Sequence, residues 1–117
     1  MANQPLRNYL RTYRRRCGLS QDEIAQLLGT SSGTKVSRYE NFARLPSVAG
    51  ILGYEIIFNQ PANRLFAGAY ETVHRAIRAR AKRLAKTLNA RPGDPRTARK
   101  LHLLRTIVDS KSSTRNH

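Results

Sequence analysis

Apolar residues along this chain recur three and four positions apart, and glycine or proline cuts the runs at short intervals: Gly18, Gly29, Pro46, Pro61, then Pro92-Gly93-Asp94-Pro95. That spacing is the period of an amphipathic helix, and those breakers end helices, so the pattern restricts the chain to short packed helices. At 117 residues this means one small domain with appendages. Cys17 is the only cysteine, and His74, His102 and His117 are far apart. No intrachain disulfide, local metal site or cofactor is therefore expected, and packing must hold the fold.

The expected helices follow in order. The first starts at Pro5 and carries Leu6, Leu10, Tyr13 and Cys17 inward, and Gly18 ends it. The second is capped by Ser20 with Glu23, turns Ile24, Ala25, Leu27 and Leu28 inward, and stops at Gly29. The third begins near Ser31 or Ser32, buries Val36 and Tyr39, and runs to about Phe42. Val48, Ile51, Leu52, Ile56 and Ile57 mark a fourth helix; a strand over the same run would have no partner. Pro61 opens a fifth, with Leu65 and Phe66.

From Tyr70 to Leu88 the positions Tyr70, Val73, Ile77, Ala81, Leu84 and Leu88 fall within an arc about 80° wide, closer to a coiled-coil seam than to a core face. Arg75, Arg78, Lys82 and Lys86 lie opposite, with Arg83 nearby. The seam can fold back over the first five helices or pair with a second chain. Pairing is favoured, with Tyr70, Val73, Ile77, Leu84 and Leu88 as the dimerisation residues. A short last helix, about residues 97–108, presents Leu101, Leu104 and Val108. The reading divides the chain into a domain at 1–67, a basic helical extension at 68–108 and a disordered tail at 109–117.

Charge narrows the partners. Lys and Arg number 22 against 7 Asp and Glu, a formal +15, which attracts polyanions and makes nucleic acid the first candidate. No apolar run reaches the roughly 18 to 20 residues of a membrane span, and the opening MANQPLRNYL lacks a signal-peptide core, so a cytoplasmic protein is expected. An enzyme is not expected: the acids form no paired constellation, and GTSSGTK lacks the spacing and preceding strand of a phosphate loop.

Two short helices joined by a tight turn, the second polar on its free side, describe a helix-turn-helix. Val36 and Tyr39 fix the buried side of the third helix, which leaves Thr34, Lys35, Ser37, Arg38 and Asn41 on or beside the free side. Arg38 is the main candidate base reader, since its fork matches guanine O6 and N7. Thr34 suits a thymine methyl, and Gly33 permits close backbone approach. Lys35 and Ser37 suit phosphates, and Ser32, Arg11 and Arg44 complete the candidate DNA contacts.

The residues Gly18-Leu19-Ser20-Gln21, Glu23-Ile24-Ala25, Leu28-Gly29, Val36-Ser37-Arg38-Tyr39-Glu40-Asn41 and Pro46-Ser47 resemble the Xre/Cro family of lambda-repressor-like domains. The likeness covers about residues 6–66 and implies five helices ahead of the basic extension. It also implies that Gln21 and Asn41 anchor phosphates and that Arg14 pairs with Glu40. Two features depart from the family pattern. The turn from Gly29 to Val36 is one residue longer, and Phe42 stands where glycine is frequent.

These readings make the chain an all-α, sequence-specific double-stranded DNA-binding regulator, expected to repress as a homodimer. The alternative is an antitoxin or accessory subunit that holds a partner protein, such as a toxin, through residues 68–108. A nonspecific nucleic-acid binder is disfavoured, because aromatic residues make up only 7% and leave few stacking platforms.

Overall fold

The computed structural model describes residues 7–90 and 93–111. The expected helix start at Pro5, the breaker Pro92 and the tail beyond residue 111 lie outside these residues. The described chain is all-helical: α1 (Leu10–Cys17), α2 (Gln21–Leu28), α3 (Gly33–Glu40), α4 (Val48–Phe58), α5 (Ala62–Leu65), α6 (Ala67–Asn89) and α7 (Pro95–Asp109). No helix among them is long and apolar enough to cross a membrane.

The first helix begins at Leu10 because the residues before it are committed elsewhere. The Tyr9 N–H donates to the Leu65 carbonyl at 2.7 Å and the Gly68 N–H to that of Arg7 at 3.1 Å, which ties the N-terminal stretch to α5 and α6. Buried Asn8 accepts from the Leu10 N–H at 3.1 Å and donates to the Tyr39 carbonyl at 3.0 Å. One side chain thus starts α1 and holds the end of α3.

Helices α1, α2 and α3 end alike, in a left-handed residue whose neighbours' N–H groups turn back onto the last carbonyls. Gly18 and Gly29 take that position with φ 77° and 74°. After α3 it falls to Phe42, at φ 66°, with the Ala43 N–H on the Arg38 carbonyl at 2.9 Å. The exit turn is therefore retained without glycine. The side chain that replaces it lies under the Arg7 guanidinium, 5.4 Å from the ring centroid.

Leu10, Ile24, Ala25, Val36, Tyr39, Tyr54, Phe58, Leu65 and Phe66 form the main core. Tyr54 is its centre, with ring contacts to Tyr39, Phe58 and Phe66 at 5.8 to 6.4 Å. Its hydroxyl is buried without a hydrogen-bond partner among the described residues. Burial raises the phenol pKa far above its ordinary value, and the nearby Glu40 charge adds to the rise. Tyr54→Phe should therefore stabilise the fold by about 1 kcal/mol, read as a higher midpoint in urea unfolding.

Two expected core residues lie outside it. Burial fades along α1 from Leu10 through half-buried Tyr13, so Cys17, in the last turn, is exposed. Leu27 is exposed because α2 rotates its Ala25 side into the core and carries Leu27 out.

Helix α6 runs from Ala67 without a break at Gly68, and α7 folds back along it. Ala81, Leu88 and Leu104 make a second small core, joined by Ala85, Leu101, Ile107 and Val108. The side of α6 that α7 covers runs through His74, Arg78, Ala81, Ala85 and Leu88, rotated by about 60° from the expected seam. Leu88 is thus spent within the chain and is not available to a dimer, whereas Tyr70, Val73, Ile77 and Leu84 stay exposed. The rotation brings polar groups onto the seam: Arg78 Nε donates to the Val108 carbonyl at 2.8 Å, and His74 Nε2 lies 2.8 Å from Ser110 Oγ. A cation at the last carbonyls of α7 is favoured by the helix dipole. At the other end α7 begins at Pro95 rather than near Thr97, because Asp94 Oδ1 accepts from the Thr97 N–H at 2.8 Å and caps it.

Candidate nucleic-acid interface

Helix α3 takes its position from α2. Ser32 occupies the N-cap, but its side chain caps nothing; Asp22 of α2 reaches across the turn instead, and its Oδ1 accepts from the Gly33 N–H at 3.0 Å. The longer turn thus uses a cap from the neighbouring helix. Gly33 is buried, so its expected close approach to DNA does not hold: what its backbone approaches is α2. A methyl group there would collide with Asp22 Oδ1 and lie 3.1 Å from the Asp22 nitrogen and 3.2 Å from the Gln21 carbonyl carbon. Gly33→Ala should destabilise the fold by about 1 to 3 kcal/mol, through overpacking and loss of the Asp22 cap. Thermal unfolding would check this.

Val36 and Tyr39 are 0% and 8% exposed, and Gly33 and Glu40 complete the buried side of α3. Thr34, Arg38 and Asn41 are exposed on the opposite side, with Lys35 and Ser37 half-buried on the flanks. The Arg38 side chain makes no hydrogen bond or ion pair among the described residues and is exposed in the middle of this face. Exposed Arg44 stands just beyond the end of the helix.

Behind that face runs a charged network. The Glu40 side chain is 1% exposed and the Arg14 side chain 13%. Arg14 Nε donates to Glu40 Oε2 at 2.6 Å and Nη2 to Oε1 at 3.1 Å, a bidentate pair, while Nη1 donates to the Leu19 carbonyl at 3.1 Å. Donating to the Glu40 carboxylate raises the Arg14 pKa above its ordinary value against the opposing effect of burial. Gln21 Nε2 donates to Glu40 Oε1 at 3.1 Å, and Arg11 Nε lies 3.6 Å from the same oxygen. Arg11 Nη2 donates to Asn41 Oδ1 at 2.7 Å, and Asn41 Nδ2 to Ser37 Oγ at 3.3 Å.

The candidate residues therefore separate into two groups. Thr34, Arg38 and Arg44 face solvent, with Lys35 beside them. Gln21 and Arg11 reach Glu40, and Arg11 also holds Asn41, so these side chains brace α3 against α1 and α2. Ser32 is exposed at the turn. Sequence reasoning missed Asp22 and Asn8. For Asn8 a signal existed, since Asn two residues before a helix is a capping type. Asp22 gave none, because its partner lies across the turn.

Outside this domain the α6–α7 hairpin is densely cationic, with Arg75, Arg80, Lys82, Arg83 and Lys86 exposed on α6 and Arg96, Arg99, Lys100 and Arg105 on α7. Residues 5–52 match a family model described as a helix-turn-helix domain, a span that takes in α1 to α3 and the opening of α4. No curated protein and no solved structure matches the chain. The match supports a helix-turn-helix DNA-binding domain at the N-terminal end of an all-helical chain.

Proposed function

We propose that this helix-turn-helix chain is a sequence-specific transcriptional regulator, a repressor that occupies double-stranded DNA as a dimer and lays the outer side of α3 in the major groove. The observation that carries the reading is the exposed, unpaired Arg38 on a helix whose other side is fixed by Val36, Tyr39 and buried Glu40. A guanidinium held at the centre of a rigid helix face is suited to bidentate contact with one guanine. Thr34 is placed to touch the adjoining base, while Lys35, Arg44 and the N–H groups at the start of α2 suit phosphates. The cations of α6 and α7 add affinity that does not depend on sequence.

Selection of bound fragments from random duplex DNA tests this reading. It should return a motif of two symmetric half-sites about one helical turn apart. Equal recovery of all sequences would reject it.

A second reading, an accessory subunit that binds an acidic protein through residues 68–108, draws on the same cationic hairpin. It would be favoured if charge reversal at Arg80 and Lys82 abolished capture of an acidic partner yet left the selected DNA motif intact.

A further inference from the structure

Apart from Glu55, helix α4 is apolar on every side, a pattern that belongs to a helix covered all round. Only one side of it is covered. Tyr54 and Phe58 lie in the core, whereas Val48, Leu52 and Ile56 are 73%, 53% and 80% exposed. These three stand four residues apart and form a single ridge along the helix.

Charge identifies what covers the ridge. Residues 45–63, between Arg44 and Arg64, contain no Lys or Arg, in a chain with 22 of them. Their one charged residue, Glu55, accepts a hydrogen bond from the Ala62 N–H within the chain. A chain of net +15 repels its own copy wherever cations line the surface. The exposed apolar residues of α6 have exposed Arg80 on their flank, which would set cation against cation in a pairing there. The α4 ridge lets two copies meet without setting cation against cation. An acidic partner would gain nothing from a face without basic residues and would be drawn to the hairpin.

We propose that the α4 ridge is a homodimer interface with its twofold axis at Leu52. A self-complementary contact must be reciprocal, so Leu52 meets the second copy's Leu52 and Val48 meets the second copy's Ile56. Ridges of this four-residue spacing interdigitate at a crossing angle of about −50°. A few aliphatic side chains fall short of the roughly 800 Å² per partner of a standard interface, so the free dimer is weak and adjacent half-sites complete it on DNA. The inference supplies the dimer of the DNA-binding reading, but it is measured on protein alone, so the two fail separately.

The test uses the full chain. In a Cys17→Ser background, Leu52→Cys should form a disulfide-linked dimer on mild oxidation while Ile77→Cys stays monomeric. In sedimentation equilibrium of the otherwise unaltered chain, Leu52→Glu should weaken self-association at least about tenfold, a loss of 1.4 kcal/mol. Its helical signal and melting should stay unchanged, because the side chain is exposed. Cross-linking at Ile77 but not Leu52 would return the seam to α6 and overturn the proposal. So would an unmodified chain that stays monomeric at every concentration, or a Leu52→Glu variant that associates as before.

Discussion

Arg14→Ala should cost the fold about 3 to 5 kcal/mol, because it leaves the Glu40 carboxylate buried without its main counter-charge. That carboxylate is 1% exposed and receives two of its hydrogen bonds from the one guanidinium. Gln21 remains on Oε1 and Arg11 remains 3.6 Å away, which holds the expected loss towards the lower end of the range. For a domain of this size the melting temperature should fall by about 10 °C or more. The pair Arg14→Met with Glu40→Leu should recover much of the loss, since it removes both charges rather than stranding one. Denaturant unfolding of the two single variants and the double gives the coupling directly. A loss below about 1 kcal/mol for Arg14→Ala would mean that the carboxylate stays hydrated after all.

The network gives Arg14 a second consequence. Glu40 lies on α3, Arg14 on α1 and Gln21 on α2, so one buried carboxylate sets the three helices against one another. Arg11 and Asn41 extend the brace towards the exposed side. Rigidity behind Arg38 is what a base reader needs, because its fork must arrive in a fixed orientation.

Much of this was legible in the residues themselves. The glycines at 18 and 29 and the Ser20–Glu23 capping box set local backbone conformations, and local chemistry is what a sequence writes most directly. The inward turn of Val36 and Tyr39 also followed from spacing alone. What escaped depends on contacts between elements distant in sequence. The Asp22 cap of α3 spans the turn, and the delayed start of α1 depends on Leu65 and Gly68. The side of α6 that α7 covers is not legible for a comparable reason. Periodicity locates an apolar stripe, but α7 covers a neighbouring one that includes Arg78 and His74, whose hydrogen bonds at the end of α7 no hydrophobic pattern encodes. The lack of a side chain at Gly33 is visible in the sequence, yet which surface comes close to it depends on the packing of α2.

The proposed DNA recognition depends on Arg38 reading a base rather than lending charge, and Arg38→Ala measured against the selected DNA motif decides it. Each half-site should lose discrimination at one G·C pair by about 1 to 3 kcal/mol, roughly 5- to 150-fold, while preferences elsewhere persist. Lys82→Ala, on the hairpin, should instead weaken all duplexes alike and reduce the salt slope by about 1. Base preferences unchanged in Arg38→Ala, with a uniform loss of affinity like that of Lys82→Ala, would contradict the assignment of α3 as the reading helix.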